Sequence, residues 1–211
     1  MVTQEFGVIV ADPPWRYRNF SDTVHGAAAS HYATMDSESI REIPVKKWAA
    51  EDCVLALWGT WPKLDECFGV VRSWGFEYVT GFPWVKTNPN SGEIRRGIGF
   101  WTQSASECVL IGRRGDPGRK GHAPLIGLLI GEDRQFYAPR TQHSRKPETL
   151  QDWLEGEFPG PYLEMFATRL RPGWATWGRT LGYELDAAGV RRAGLRQIVI
   201  ESEWGEVSHG A

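Results

Sequence analysis

Paired cysteines are missing from this sequence. Its three cysteines, Cys53, Cys67 and Cys108, are odd in number and isolated, and no C-x-x-C pair occurs. Neither a structural zinc site nor a disulfide framework is expected, and no metal is predicted. The same pattern indicates a reducing compartment, the cytoplasm.

Long apolar runs and an excess of one charge are missing as well. No apolar segment approaches the roughly 20 residues of a membrane-spanning helix, so no membrane association is predicted. The 24 basic residues nearly balance the 26 acidic ones, and the formal net charge is −2. Bulk charge therefore does not indicate a nucleic-acid partner, although net charge leaves room for a local basic patch.

Tryptophan, by contrast, is abundant, and one of the eleven closes an unusual stretch. The segment VIVADPPWRY joins an apolar strand to Asp12, Pro13, Pro14 and Trp15. In open α/β sheets, ligands bind beyond the carboxyl ends of strands, which places Asp12 at such an edge. The two prolines stiffen the turn and donate no hydrogen bonds. The result is an acceptor site, made by the Asp12 carboxylate and the Pro13 carbonyl, for the two N–H groups of an aromatic amine, with Trp15 as a flat face on which a base can stack.

An amine held in this way can be methylated. Its lone pair is conjugated with the ring, and two acceptors that bind both hydrogens favour the rehybridised form that attacks a methyl donor. Such binding stabilises the transition state more than the ground state. A base in a duplex must also be flipped out of the stack. A base deaminase, the other chemistry of such amines, requires H-x-E and P-C-x-x-C, which this sequence lacks.

Strands that alternate with helices and loops predict an α/β three-layer sandwich in one domain. The predicted strands cover residues 6–11, 53–58, 77–86, 106–115, 162–167 and 174–178. Three helices are predicted. One begins at an Asp36 cap, and the other two cover residues 61–75 and 146–157. A long polar loop, 16–35, follows the first strand, and loops of that length are typical of functional lids.

Seven motifs follow one another in an order that is specific to one family. They are VIVADPPW, HYATMDSESI, LALWGTWPKL, WGFEYVTGFPWVKTN, ECVLIGRRGDP, HSRKPETLQDWLE and YLEMFATRLRPGWATWGRTLG. With them the chain resembles the DPPW-type N6-adenine methyltransferases, and within these the short bacterial and phage members. The resemblance implies a Rossmann-like fold that uses S-adenosylmethionine, with the catalytic motif ahead of the cofactor motifs. It implies a methyltransferase domain over 1–182, and 183–211 as an extension of that domain with a candidate edge strand.

The resemblance also implies the residues that hold the cofactor. Asp12 would serve both the target amine and the methionine amino group, Lys146 would meet the cofactor carboxylate, and Glu164 suits ribose hydroxyls. The other expected cofactor contacts are His143, Phe166, Arg169, Gly178, Arg179 and Thr180. The chain departs from the family at Thr168, which delays the expected arginine, and at Arg179, where the family tends to have asparagine. Both departures concern cofactor affinity.

Basic and aromatic residues in the loops are the expected substrate contacts. They are Trp15, Arg16, Tyr17, Tyr32, Lys86, Asn88, Arg95 and Arg96, and together with Arg113, Arg114, Arg119 and Lys120 they could line one positive face. Phosphate contacts of this kind would be sensitive to salt and blind to sequence. Ordinary solvated loop charge is the alternative interpretation.

The predicted activity is methyl transfer from S-adenosylmethionine to the N6 amino group of adenine in DNA. DNA is favoured by the likeness to short bacterial and phage members, and methylation of adenosine in RNA is the alternative. A third interpretation is a non-catalytic nucleic-acid-binding subunit. The intact Asp12–Trp15 motif and Lys146 argue against it. No separate recognition domain fits in this length, so target preference is expected to come from the loops, a homodimer or a partner subunit.

Overall fold

The structure is a computed structural model that describes residues 5–17, 34–97, 101–120, 136–140 and 145–177. Most of the predicted lid loop and the predicted extension 183–211 lie outside the described residues, so both stay predictions. Within the described part of the chain, no helix is long and apolar enough to cross a membrane.

Seven strands and three helices make up the described chain. The strands are β1 (Phe6–Ala11), β2 (Ala49–Gly59), β3 (Glu77–Thr87), β4 (Ser106–Arg114), β5 (Phe136–Pro139), β6 (Tyr162–Met165) and β7 (Trp174–Trp177). The helices are α1 (Ser37–Glu42), α2 (Leu64–Ser73) and α3 (Thr149–Glu157), with 3₁₀ turns at Val45–Lys47 and Trp61–Lys63. Every strand and helix predicted within these residues overlaps one of these elements, while β5 was not predicted.

The strands form one mixed sheet in the order β5-β3-β4-β2-β1-β6-β7. Strand β4 is antiparallel to both of its neighbours, β2 and β3. The other neighbouring pairs are parallel. The carboxyl ends of β1, β2 and β6 therefore meet at one edge of the sheet, and the amino end of β4 lies at that same edge.

Apolar residues on both faces of β1 explain why helices cover the sheet on two sides. Ile9 points into a cluster with α1 and α2, which contribute Ile40 and Val70. Val8 and Val10 point into a second cluster together with Leu150 and Leu154 of α3. A strand that is buried on both faces is typical of such three-layer folds. The predicted α/β/α sandwich is confirmed.

The helix boundaries follow local chemistry. The Asp36 carboxylate accepts a hydrogen bond from the Ser39 backbone N–H at 2.9 Å, which confirms the predicted cap of α1. Gly75 follows α2 with φ of +85°, a conformation that glycine adopts without strain. The predicted helix over 146–157 begins at Thr149 instead. Lys146 precedes a proline, which disfavours helical backbone there and leaves Lys146 outside α3.

Candidate active site

Asp12 lies directly beyond the end of β1. Its backbone N–H donates to the carbonyl of Met165, the last residue of β6, at 3.4 Å. The neighbouring strands β2 and β6 run parallel to β1, so Asp12 lies where ligands bind in open α/β sheets. The sequence prediction placed Asp12 at this edge, and the structure confirms that position.

The two prolines after Asp12 connect the turn to the segment that precedes α1. The Trp15 backbone N–H donates to the Pro13 carbonyl at 2.8 Å, and the Met35 N–H donates to the Pro14 carbonyl, also at 2.8 Å. The Pro13 carbonyl thus accepts one hydrogen bond within the turn and keeps a second lone pair for another donor. The turn is held from both sides.

Trp15 is a core residue, and the prediction that a base stacks on its ring is wrong for this structure. It is 5 % exposed and packs in the cluster on the α1 and α2 face of the sheet. Its indole N–H donates to the Trp58 carbonyl at 3.2 Å. A ring buried to this extent offers no face to a base. Trp15 therefore anchors the turn that carries Asp12.

Asp12 is the first of four charged side chains that lie in a row and alternate in sign. The Lys146 ammonium lies 2.9 Å from Oδ1 of Asp12 and 3.2 Å from Oε2 of Glu107. Oε1 of Glu107 lies 2.6 Å from the Lys86 ammonium. These side chains are 14–24 % exposed, and charges so little hydrated persist only when they are paired. We name this set, Asp12, Lys146, Glu107 and Lys86, the charge chain.

Two indole rings support the lysines of the charge chain. The Lys146 ammonium lies 5.7 Å from the centre of the Trp58 ring, and that of Lys86 lies 5.5 Å from the Trp84 ring. The two rings meet edge to face at 5.6 Å. A cation over an indole face is attracted by the ring quadrupole, most strongly where water is excluded. The rings thus attract both ammonium groups and help to hold them in place.

Burial and pairing act in opposite directions on the pKa values in the charge chain. Burial raises the pKa of Asp12, and the neighbouring Lys146 opposes this change. Burial also acts to raise the pKa of Glu107, but Lys146 and Lys86 together hold it below its ordinary value. Burial would lower the pKa of Lys146, yet the Asp12 and Glu107 carboxylates hold it above its ordinary value. Lys146 is therefore a permanent cation at neutral pH.

A cavity opens beside the charge chain at the ends of β1 and β6. Its lining residues are Val10, Asp12, Trp58, Lys146, Glu164, Phe166, Thr168 and Arg169. Phe166 follows β6 with φ of +60°, which a bulky side chain rarely adopts. The Phe166 N–H donates to the Trp177 carbonyl at 2.7 Å, and that hydrogen bond holds the strained backbone against β7. Strain of this kind clusters at ligand sites.

Glu164 is the second carboxylate of the cavity. Its Oε1 accepts a hydrogen bond from Gln151 at 3.2 Å, while its buried Oε2 has no hydrogen-bond partner among the described residues. Burial raises the pKa of Glu164 to about 7, against the opposing effect of Arg169. Arg169 itself is buried and lies 3.0 Å from Glu148. Glu164 thus titrates near neutral pH.

Replacing Glu164 by glutamine is expected to stabilise the fold at alkaline pH. The folded-state pKa, about 7, exceeds the ordinary 4.5, so stability from this carboxyl is present below pH 4.5 and lost as pH rises through 7. The variant cannot ionise at this position and avoids that loss. Its gain in unfolding free energy over the wild type should be about 2–3 kcal/mol larger at pH 8 than at pH 5.

Urea unfolding at the two pH values measures this difference. Asp12, whose pKa is raised as well, is present in both proteins, and its charge is one of the causes that raise the pKa of Glu164. Glu77→Gln, at an exposed position of β3, is the matched control and should show no such pH dependence. An equal effect of Glu164→Gln at both pH values would contradict the raised pKa of Glu164.

The predicted substrate contacts occupy different positions. Arg16 is exposed and lies 3.5 Å from Asp36, while the Tyr17 hydroxyl lies 2.6 Å from the Thr60 hydroxyl. The Asn88 side chain accepts from the Asn90 N–H at 2.9 Å and closes a turn. Lys86 belongs to the charge chain, which corrects its expected place in a phosphate-facing loop.

Arg95 and Arg96 are exposed in the loop after β3, and the Arg95 N–H donates to the Lys86 carbonyl at 2.7 Å. That bond brings the backbone of Arg95 beside the charge chain. The predicted contacts Tyr32, His143, Gly178, Arg179 and Thr180 lie outside the described residues. Their roles stay predictions.

Among the described residues, the loop cations do not form the single positive face that the sequence suggested. Arg114 pairs in register with Cys53 near the start of β2, whereas the site lies at the other end of that strand. Arg113 lies 3.1 Å from Glu77, and Arg119 lies 2.8 Å from Glu157. Because β4 is antiparallel to its neighbours, its arginines are carried to the edge opposite Asp12.

Glu107 is the site residue that the sequence analysis missed. It is the second residue of β4, on the face that also carries Val109 and Ile111. A charge directly before an apolar run, in phase with the inward-facing positions of that strand, was the signal that could have identified it. Among the described residues, no group of three or more potential ligands could hold a metal ion.

Comparisons with known proteins give one consistent result. The MT-A70 family model matches residues 6–180. The chain is 32 % identical over 185 residues to the N(6)-adenine-specific methyltransferase METTL4 of Homo sapiens, covering 82 % of this chain and 37 % of that protein. It is 31 % identical over 194 residues to the Type II methyltransferase M.MunI of Mycoplasma sp, covering 83 % of this chain and 77 % of that protein.

A third relative is the N(6)-adenosine-methyltransferase catalytic subunit METTL3 of Homo sapiens. The chain is 30 % identical to it over 183 residues, covering 84 % of this chain and 28 % of that protein. The chain therefore spans less than two fifths of the length of the two human relatives.

Proposed function

Because the chain belongs to the MT-A70 family, which has the fold of S-adenosylmethionine-dependent methyltransferases, we propose that it transfers a methyl group to the N6 amino group of adenine in DNA. One observation carries the proposal: Asp12 stands in a stiff turn at the ligand-binding edge of the sheet, in contact with Lys146 through one carboxylate oxygen. The second carboxylate oxygen, Oδ2, is then available to accept a hydrogen bond from an amine.

The donor set around the cavity fits S-adenosylmethionine. Asp12 and Glu164 are acceptors, Lys146 and Arg169 are donors, and all four line one cavity. Oε2 of Glu164, which lines this cavity, is a buried polar atom without a hydrogen-bond partner among the described residues, and it suits a hydroxyl group of a ligand. A ligand with an ammonium, a carboxylate and ribose hydroxyls meets these needs.

Five residues of the cavity have proposed tasks. Lys146 would hold the cofactor carboxylate, Asp12 its ammonium, and Glu164 its ribose hydroxyls. When bound, S-adenosylmethionine supplies an electrophilic methyl group on a sulfonium sulfur. We expect Phe166 and Trp58, which line the same cavity, to keep water away from that methyl group.

Asp12 also acts on the methyl acceptor. Oδ2 of Asp12 accepts a hydrogen bond from the adenine amine and favours the rehybridised nitrogen whose lone pair is free to attack. An acceptor that is fixed before the reaction stabilises the developing positive charge on that nitrogen without reorganisation. Burial raises the pKa of Asp12, so this carboxylate is well suited to take the proton that the methylated nitrogen releases.

Nucleic acid is the proposed partner, and DNA the favoured one. The likeness to short bacterial and phage members supports DNA, since M.MunI is the relative of which this chain spans 77 %. Exposed Arg16, Arg95 and Arg96 are the proposed phosphate contacts. RNA is the second candidate, because METTL3 is named for adenosine. Target preference would come from exposed loops or from a second subunit.

Transfer of labelled methyl groups from S-adenosylmethionine tests the function. Duplex DNA, single-stranded DNA and RNA of matched sequence are incubated with the protein, and the nucleosides are separated by mass spectrometry. We expect N6-methyldeoxyadenosine from DNA at a rate above that for RNA. Label in RNA alone would overturn DNA as the substrate. No transfer to either, together with no cofactor binding by calorimetry, would overturn the enzyme itself.

A further inference from the structure

We propose that Glu107 is the positioning residue of this active site: its two carboxylate oxygens hold Lys146 and Lys86 apart, and so keep Lys146 on one oxygen of Asp12. The other oxygen of Asp12 is thereby left to the methyl acceptor. The inference rests on the proposed function for its account of the acceptor, and on the charge chain for its geometry.

Glu107 bridges two cations with separate oxygens. Oε1 lies 2.6 Å from the Lys86 ammonium, and Oε2 lies 3.2 Å from the Lys146 ammonium. The sheet fixes this bridge, because Glu107 pairs in register with Trp84 of β3, two residues before Lys86. A glutamine cannot reproduce the bridge, since an amide has one acceptor oxygen and its NH₂ group repels a second ammonium.

Glu107 acts through Lys146 rather than on a ligand. It is absent from the residues that line the cavity, whereas Asp12 and Lys146 both line it. Both of its oxygens are occupied by lysines. Lys146 in turn has three N–H donors, of which two point to Asp12 and Glu107, so one is left for a cofactor carboxylate.

The charges of the chain balance only when Glu107 is present. With it, two carboxylates face two ammonium groups; without it, Asp12 is the sole anion of the chain for both lysines. The other charged groups that face this region are Glu164 of β6 and Arg169, which follows β6. An unbalanced buried cation turns to the nearest carboxylate. Loss of Glu107 is thus expected to draw a second cationic contact onto Asp12, in competition with the amine.

The test compares Glu107→Gln with Glu77→Gln, which removes the same charge from an exposed pair with Arg113 on the same two strands. We expect Glu107→Gln to lower kcat for methyl transfer by about 10- to 100-fold, less than the 10²–10³ typical of losing a group that contacts the reacting atoms. The Kd for S-adenosylmethionine, measured by calorimetry, should change by less than about threefold, because the competing lysine contact falls on Oδ2 of Asp12, the oxygen assigned to the adenine amine, and Lys146 keeps its charge. Glu77→Gln should leave both values unchanged.

A double variant separates charge positioning from simple damage to the fold. Glu107→Gln combined with Lys86→Met leaves one acceptor oxygen for one lysine, and the charges balance again. We expect it to recover at least about threefold in kcat over Glu107→Gln. No recovery, or a Kd raised more than about tenfold at unchanged kcat, would overturn the proposal. If Glu107→Gln does not fold, Glu107→Asp decides: its shorter side chain should give an intermediate kcat, and wild-type kcat overturns the proposal.

A readout without cofactor or substrate distinguishes this proposal from the proposed function. The Glu107 carboxylate helps to hold the pKa of Lys146 high, so its removal should speed acetylation of Lys146 by acetic anhydride. Peptide mapping should show at least about a threefold faster reaction in Glu107→Gln and no change in Glu77→Gln. An unchanged rate overturns the positioning role. A wild-type protein that methylates nothing overturns the function, and the acetylation result still decides the role of Glu107.

Discussion

Replacing Asp12 by alanine is expected to abolish methyl transfer, with a rate at least about 10³-fold below that of the wild type, while the fold persists. One preorganised acceptor is typically worth 10²–10³ in rate. Asp12 is assigned a second task at the cofactor ammonium, so both losses fall on one substitution. The fold persists because Lys146 keeps its contact with Glu107 at 3.2 Å and is not left as an unpaired buried charge.

Single-turnover methylation of DNA and urea unfolding, measured on the same preparations, check this prediction. Asp65→Ala is the matched control, because Asp65 is exposed in the first turn of α2, away from the site. It should leave both rate and stability near those of the wild type. An Asp12→Ala protein that retains more than a tenth of the wild-type rate would remove Asp12 from the chemistry.

The sequence predicted the position of Asp12 because local rules suffice there. An apolar strand buried on both faces belongs to a three-layer fold, and a rigid turn after it lies at the ligand-binding edge. The same rules located the Asp36 cap and the glycine after α2. These features depend on residues within one turn or one strand, and such residues are neighbours in the printed sequence.

The role of Trp15 could not be predicted in this way. Next to a polar loop, a tryptophan indicates an exposed aromatic face. In the structure the backbone of Trp15 pairs with Met35, and the ring inserts beside the end of β2. The partner that covers Trp15 is twenty positions away, and no local pattern announces it. Tertiary contact therefore decides whether an aromatic residue near a site packs or binds.

The direction of β4 explains two further differences between prediction and structure. An apolar strand has the same composition whichever way it runs, so the sequence did not show that β4 is antiparallel to β2 and β3. That direction brings Glu107 to the site and carries Arg113 and Arg114 to the opposite edge. One undetermined orientation thus hid a site residue and suggested a basic face that the described residues do not form.

Replacing Lys146 by methionine is expected to weaken S-adenosylmethionine binding by at least about 50-fold and to destabilise the fold by about 3–5 kcal/mol at pH 8. Breaking a buried pair leaves uncompensated charge, here Asp12 and Glu107 facing each other across the space that Lys146 fills. The two carboxylates would raise each other's pKa.

The raised pKa values of the two carboxylates determine how this destabilisation changes with pH. Protonation relieves carboxylates whose folded-state pKa exceeds the unfolded value, so the deficit should shrink as the pH falls from 8 to 5.

Calorimetry of cofactor binding and urea unfolding at both pH values measure the two effects. Lys47→Met, at an exposed position before β2, is the matched control and should change neither. Unchanged cofactor affinity in Lys146→Met would show that Lys146 does not bind the cofactor. A stability deficit that does not depend on pH would show that the contacts of Lys146 to Asp12 and Glu107 are not ionic. The two variants should therefore differ in kind, because Lys146→Met acts mainly on cofactor affinity, whereas Asp12→Ala acts on cofactor affinity and also on the rate of the bound enzyme.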